Sequence, residues 1–328
     1  RAPRRHGGMT MLWLGAETVR HCGDFAALVP AIQAMNRDGT DLVERLLLCQ
    51  PGKDGPQNDC LMMPAWQFNR CFGVKIANIF PGNAQRNLAS VQGAYLLFDG
   101  ETGETLCGMD GAMLTLRKTA ANSAAAADWL ARKDASVLCM IGAGALAPHL
   151  VEAHCSVRPI RKVLWWNRST EPLKHAIEQT QRLLPDVDIQ AVRELGKAVG
   201  AADVISCATM AADPVLRGAS LKRGAHIDLV GSYRPDMREG DDACVLRATR
   251  HYVDARFTTL DVAGDLTRPI AAGLLDPRNI IDLQQVARDE KPKRLNDEEI
   301  TWFKSGGGGH EDLATAWAVY QAYRGEIA

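Results

Sequence analysis

Residues 137–147, VLCMIGAGALA, decide the fold. Val137 to Ile141 have the length and composition of a buried strand, and a helical run follows to about Cys155. Between them, Gly142-Ala143-Gly144-Ala145-Leu146-Ala147 reads GxGxxA. In such a unit the first glycine makes the tight turn. The second lets a pyrophosphate approach the backbone, and the small third residue allows close helix–strand packing. The first N–H groups of the helix then point at the phosphates. Glycine- and alanine-rich turns also occur without a ligand, so the flanking strand and helix give this one its meaning. Gly142, Gly144 and Ala147 are therefore candidate cofactor-binding residues.

Outward from this turn, strand-like and helical runs alternate. VLWW lies at 163–166, a helix begins near Glu171, and DVIS (203–206), HIDLV (226–230) and HYVD (251–254) follow. Alternation of this kind predicts right-handed βαβ units, and so an α/β fold with a Rossmann-type doubly wound parallel sheet. Before Ser136 the pattern differs. Phe25, Leu28, Val29 and Ile32 share one face of a helix that ends near Gly39. Val43–Cys49, Phe72–Phe80 and Ala94–Phe98 read as strands, the last turning at Asp99–Gly103 into a hairpin partner around Thr105. From about Ala112 to Ala131 the chain is helical and rich in alanine, which lets another backbone approach closely and predicts a helix buried between layers.

The 328 residues suit two domains. Lys plus Arg is 38 and Asp plus Glu 39, for a formal charge of -1, so there is no electrostatic footprint for nucleic acid or an anionic membrane. Hydrophobic residues make up 46%, enough for a sizeable core. The uncharged stretch 135–151 is broken by Gly142, Gly144 and Pro148 and is not read as a membrane span. Residues 1–8 are basic with no apolar region after them, so they are read as an extension rather than a secretory signal, with Met9 as the native start. Nine cysteines form no CxxC pair and are read as reduced, small core hydrophobes of a cytoplasmic protein. Eight histidines show no HxxxH or HExxH spacing, so no metal site is expected.

Asn167-Arg168-Ser169-Thr170 follows VLWW, where an NAD site usually places Asp or Glu to bind the ribose 2′-OH. A neutral amide, a guanidinium and two hydroxyls suit a 2′-phosphate instead, which points to NADPH with NADH as the alternative. The plainer reading makes Arg168 a solvated charge and Ser169 or Thr170 a helix cap.

These residues resemble the ornithine cyclodeaminase/mu-crystallin family over nearly the whole chain from about Asp41. The likeness rests on GVKIANIFPGN (73–83), LRKTAANSAAAADWLA (116–131), the GxGxxA with WNRS, GAHIDLVGSYRPDMREGDD (224–242) and FKSGGGGHED (303–312). It implies a homodimer with an α+β substrate-binding and dimerisation domain, residues 9–118 plus 305–328, and an NADP(H)-binding domain, residues 119–304. It also implies that Arg45 and Lys75 hold a substrate carboxylate with a third cation from the alanine-rich helix. The family usually has Arg directly before Thr-Ala, whereas this chain has Lys118 there and Arg117 one earlier, so both stay candidates. Lys75 shares a strand face with Gly73 and Ala77, small neighbours that leave room beside its ammonium; alone it would read as a solvent-facing lysine.

Cyclodeaminases of the family carry a catalytic aspartate two residues before the proline of 231–239, where this chain has Tyr233, either a packing residue or a hydrogen-bond donor. GSYRPDMRE looks like the mu-crystallin and ketimine-reductase form, with Ser232 among the residues implied at the cofactor. Asp236 and Glu239 read as a D-x-x-E capping box opening a helix. Ser305, Gly307 and Asp312 match the segment at the mouth of the family's nucleotide site, with Asp312 placed near substrate and nicotinamide. His310 reads as a capping or solvated residue, and a helix N-terminus is itself a plain reason for Asp312.

The resemblance thus implies NADPH-dependent reduction of cyclic ketimines, Δ1-pyrroline-2-carboxylate to L-proline, with Δ1-piperideine-2-carboxylate to L-pipecolate as a second substrate. Lys75 and Asp312 are its catalytic candidates. Ornithine cyclodeamination with NAD and amino-acid dehydrogenation are the alternatives within the family; an NADPH-dependent small-ligand binding protein of mu-crystallin type is the non-enzymatic one.

Overall fold

The computed structural model describes residues 11–42, 44–51 and 57–327; the basic segment 1–8, Met9 and Val43 lie outside the described residues. The chain divides into two units.

The first unit comprises the described residues of 1–24, 40–115 and 312–328. Its strands are β1 (Trp13–Leu14), β2 (Asp41–Leu42), β3 (Leu46–Gln50), β4 (Asn58–Gln67), β5 (Cys71–Ile79), β6 (Val91–Asp99) and β7 (Thr105–Asp110), with helix α1 (Ala16–Cys22) after β1. They form one sheet in the order β1-β7-β6-β5-β4-β2, with β3 also on β4. Period-2 patterning sorts β5 as the sequence predicts: Cys71, Gly73 and Lys75 are buried, while Phe72 on the other face stacks between Trp66 and Phe98 at 4.3 and 4.7 Å. The longest strand, β4, is absent from the sequence reading. It carries Pro64, which cannot donate to a ladder. Pro64 falls in the gap between β3, whose pairing ends at Met62, and β2, whose pairing begins at Ala65.

The second unit comprises residues 25–39 and 116–311. Helix α2 (Phe25–Asp38) belongs here, as does most of α3 (Gly111–Leu130). Then come β8 (Val137–Ile141), α4 (Ala147–Val157), β9 (Lys162–Trp166), α5 (Thr170–Leu183), β10 (Asp188–Ala191), α6 (Leu195–Ala201), β11 (Val204–Cys207) and β12 (His226–Leu229). The remainder is α7 (Asp242–Arg247), β13 (Arg250–Val253), α8 (Arg256–Thr259), α9 (Gly264–Ala271), β14 (Ile281–Asp282), α10 (Leu283–Ala287), β15 (Thr301–Lys304) and α11 (Gly309–Tyr323), which continues into the first unit at Asp312.

All eight strands are parallel, in the order β10-β9-β8-β11-β12-β15-β13-β14. The first five follow the doubly wound 3-2-1-4-5 order, so the topological switch lies between β8 and β11. The last strand in sequence, β15, inserts beside β12. Residues 120–127 of α3 are buried on every side, as the alanine content predicts. Polar contacts cross this layer too: the Ser123 hydroxyl donates to Asp228 on β12 at 3.0 Å, and Asp228 also takes bonds from Ser206 (2.7 Å) and pairs with His154 Nε2 (3.1 Å).

This division departs from the expected boundaries in three places. Helix α2 packs on α10 and α4, burying Leu28, Val29 and Ile32 at ~1.5–3 kcal/mol each. Residues 116–118 and 305–311 also belong to the second unit, because Arg117 pairs with Glu152 on α4, and Asp254 at the end of β13 binds the Gly306 and Gly307 N–H groups at 2.7 and 2.6 Å.

Candidate active site

The turn after β8 has the geometry its sequence predicts. Gly142 sits at φ +107, and a Cβ there would overlap the Ala208 carbonyl oxygen beyond β11, so only glycine fits. Its own carbonyl is held by the buried Trp165 Nε1 at 2.7 Å. Gly144 is exposed, with nothing within 4 Å of a Cβ position, which leaves its backbone open to a ligand. Ala147, fully buried, starts α4, and no side chain caps that helix. The Ala147 N–H closes the turn onto the Gly144 carbonyl at 3.0 Å and Pro148 has no N–H, so it is the exposed backbone of the turn at Gly144 and Ala145, ahead of the helix, that is open to a phosphate. At the end of β9, Arg168 and Ser169 are exposed, and Asn167 turns its amide onto the Ser169 carbonyl at 2.8 Å. None of the four residues after β9 is acidic.

Arg117 and Lys118 diverge within the second unit, as consecutive helical residues must. The Arg117 guanidinium lies 3.6 Å from the centre of the Phe25 ring and donates to Glu152 at 2.9 Å, with His149 Nδ1 at 3.4 Å. Lys118 points instead at the glycine segment after β15. Its Nζ donates to Glu311 at 3.1 Å and lies 2.9 Å from where a Cβ on Gly307 would stand. Glu311 also accepts the Gly308 N–H at 3.2 Å. Ser305 takes a bond from Asn122 at 3.2 Å. His310 is buried rather than capping or solvated; its ring tilts against Phe257 with centroids 6.0 Å apart, over a Gly308 that has no side chain to collide with it.

In the first unit, Lys75 and Asp312 come together from 237 residues apart. The Lys75 ammonium bridges both carboxylate oxygens, at 2.9 and 2.8 Å, with both side chains almost wholly buried. Asp312 stands in the first turn of α11, so the helix dipole favours its charge as well. Directly opposite Lys75 on β6 is Tyr95, fully buried; its phenol lies over Gly73, where a side chain would overlap it. Burial, then the nearby Asp312 charge, raises the Tyr95 hydroxyl well above the usual phenol range. Nothing in the alternation around Tyr95 marks it in the sequence. Arg45 is exposed and directly precedes β3. Continuing the β3–β4 register by one residue sets it against Met63, the partner of Lys75, on the same face and two strand spacings away, about 10 Å.

The capping-box reading of Asp236 and Glu239 is overturned. Asp236 is exposed and pairs with Arg234, and the next helix, α7, is capped by Asp241. Glu239 is fully buried and gathers backbone instead. One carboxylate oxygen accepts from Thr209 N (2.6 Å) and Thr209 Oγ1 (3.0 Å), the other from Gly231 N (2.7 Å) and Ser232 N (3.3 Å). Tyr233 is 55% exposed, which removes the packing alternative.

A parallel sheet wound 3-2-1-4-5 about a GxGxxA turn defines the second unit as a Rossmann-type dinucleotide-binding fold. The chain belongs to the ornithine cyclodeaminase/mu-crystallin family, whose profile matches residues 41–326, and it is an oxidoreductase. A Δ1-pyrroline-2-carboxylate reductase of Paracoccus denitrificans is 40% identical over 274 residues, 83% of this chain and 86% of that protein. The solved Δ1-pyrroline-2-carboxylate reductase of Thermococcus litoralis, in complex with NADH and L-proline, superposes with a TM-score of 0.87 at 29% identity, covering 96% of this chain and 98% of that one. An archaeal alanine dehydrogenase dimer with bound NAD gives 0.85 at 25% identity, covering 96% and 97%. Among the described residues, no helix is long and apolar enough to cross a membrane.

Proposed function

We propose that this protein reduces cyclic ketimines with NADPH, Δ1-pyrroline-2-carboxylate to L-proline, and Δ1-piperideine-2-carboxylate to L-pipecolate as a second reaction. The observation that carries the reading is the buried Lys75–Asp312 pair. A protonated cyclic imino acid carries a carboxylate and an iminium on adjacent atoms. An ammonium and a carboxylate held together match that charge pattern, Lys75 taking the acid group and Asp312 facing the N–H side. The 40% identical reductase acts on a substrate of this kind.

The second unit fits a dinucleotide: an open Gly144, an uncapped α4 and a Gly142 that admits no side chain. A reduced nicotinamide cofactor held there would supply the hydride that the imine carbon accepts. The chain supplies the rest. Gly142, Gly144 and Ala147 hold the pyrophosphate, Arg168 with Asn167 and Ser169 reads the 2′-phosphate, and Ser232, Ser305 and Gly307 border the nicotinamide side. The proton that completes the amine is assigned to the Lys75–Asp312 pair or a water it orients. Lys118 rather than Arg117 is the substrate cation of α3, because Arg117 is committed to Phe25 and α4 while Lys118 reaches the 307–311 segment. Arg45 is the more exposed contributor.

Homodimerisation is supported by β3, where Leu46, Leu47 and Leu48 are each about half exposed, an apolar strand that a second copy would cover. Free cysteines, five of them buried, support a reducing, cytoplasmic setting.

The test is NADPH oxidation with the five- and six-membered ketimines, run beside ornithine with NAD and pyruvate plus ammonia with NADH. Turnover of ornithine or pyruvate without ketimine reduction overturns the reading. Paired Arg117→Ala and Lys118→Ala variants settle the cation: the loss of substrate affinity should follow Lys118.

A further inference from the structure

Parallel sheets of this kind bind ligands beyond the carboxyl ends of their strands, at the switch point. Here those ends are the turns after β8, β11 and β12, neighbouring strands. The turns touch through backbone, not through side-chain packing. Gly142 fits only because it lies against the Ala208 carbonyl, and Gly231 only because it lies against the Thr209 backbone. Backbone bonds join the last two at Val230 N to the Cys207 carbonyl and Arg238 N to the Ala211 carbonyl, both 2.9 Å, and one side chain bridges the turns themselves. Glu239 accepts from Thr209 after β11 with one oxygen and from Gly231 and Ser232 after β12 with the other. It is itself fixed in place, since Asp265 accepts both the Glu239 and Gly240 N–H groups at 3.0 Å.

We propose that Glu239 is a positioning residue for the dinucleotide: its carboxylate sets the spacing of the two strand-end turns on the far side of the switch from the adenosine half, where the nicotinamide half rests. This deepens the reading above and rests on it only in the use of a dinucleotide, not in the identity of the imine.

The arrangement is built against the ordinary tendency of a buried acid. Burial raises the Glu239 carboxyl to about 7, opposed by the Lys304 ammonium at the end of β15 and reinforced by Asp265 on α9. Lys304, fully buried, donates to the Leu229 carbonyl at 3.1 Å, and Cys207 of β11 also faces Glu239. The four donors that converge on the two Glu239 oxygens favour the ionised form and fix its orientation between the turns. A control lies at the opposite end of the same sheet. Asp203 likewise accepts two backbone N–H groups, Ser136 and Val137 at 2.8 and 3.0 Å, before β8 rather than after it.

The experiment measures NADPH binding directly, by calorimetry with no imine present, for wild type, Glu239→Gln, Glu239→Ala and Asp203→Asn. Hydrogen exchange of 207–210 and 230–233 is followed with and without NADPH. The expected result is at least tenfold weaker binding for Glu239→Ala, an intermediate loss for Glu239→Gln, and no more than twofold for Asp203→Asn even where its melting temperature falls as far. Both turns should exchange faster in the Glu239 variants and slow on NADPH addition in the wild type. Should Glu239→Ala fail to fold, Glu239→Gln and the wild-type exchange data still decide. Unchanged NADPH affinity in a folded Glu239 variant, or turns whose exchange ignores NADPH, overturns the proposal. If no form of the protein binds NADPH or NADH, the dinucleotide reading itself fails, which is a separate result from an affinity that ignores residue 239.

Discussion

Replacing Lys75 by methionine keeps most of the side-chain volume and removes the charge. The ammonium now bridges both oxygens of Asp312 at 2.9 and 2.8 Å, with the lysine side chain 6% and the aspartate 0% exposed. Solvent therefore offers the carboxylate little compensation, and removing one partner of such a pair costs about 3–5 kcal/mol. Unfolding entropy near 2.1 cal/mol/K per residue amounts to roughly 0.7 kcal/mol/K for a chain of this length, so the melting temperature should fall by about 4–7 °C. The companion variant, Lys75→Met with Asp312→Leu, removes both charges, and most of the lost stability should return, with a coupling of at least ~2 kcal/mol across the cycle. Calorimetric melting of the four proteins is the assay, and it is independent of any substrate. A Lys75→Met protein that melts within about 1 °C of wild type, or single losses that simply add in the double variant, would refute the argument from burial. Kinetics on the folded Lys75→Met variant then probe its proposed role, with kcat/KM for the ketimine expected to fall at least ~100-fold, about 2.7 kcal/mol.

Glycines 142 and 144 should separate stability from binding: Gly142→Ala destabilises by about 1–3 kcal/mol through its positive φ and the Ala208 carbonyl, whereas Gly144→Ala melts like wild type and loses only NADPH affinity in calorimetry. Arg168→Ala should raise the KM for NADPH about 10- to 100-fold, the worth of a charge-assisted bond, and leave that for NADH within twofold; equal changes refute the 2′-phosphate assignment. His226 gives a pH prediction. Burial lowers its imidazole from 6.5 to about 3, so it folds neutral. The stability this represents is intact above the unfolded value and is lost as pH falls toward the folded one. Urea unfolding at pH 5 should show about 2 kcal/mol less stability than at pH 7 from this residue, a difference that His226→Gln abolishes.

The second unit was largely legible because local signals and fold agree there. A five-residue apolar strand, two glycines and a helix suffice to place β8, the turn and α4. The first unit was less so, because its strands are assembled by pairing rather than announced by pattern. β4 joins polar Asn58 and Asp59 to a proline, and only the interruption between β2 and β3 makes that proline acceptable. The small residues beside Lys75 only hint at room for its ammonium, and it is the family resemblance that singles it out; its partnership with Asp312 spans most of the chain and has no local trace. Glu239 failed differently. D-x-x-E is a sound capping signal, yet the tertiary demand for an acceptor between two strand-end turns took the glutamate, and Asp241 took the cap.

The path of the backbone has a practical corollary. It passes from one unit to the other at residues 24/25, 39/40, 115/116 and 311/312, twice within a continuous helix. Neither unit is thus a single cassette that recombination could move or a cloning boundary could isolate. A fragment begun at Leu116 would lack α2 and leave bare the faces of α4 and α10 that it covers, inviting clumping in place of folding. Genes encoding this architecture should accordingly tolerate point change far more readily than shuffling, and crossovers between relatives should survive mainly where all the interleaved pieces arrive from one parent.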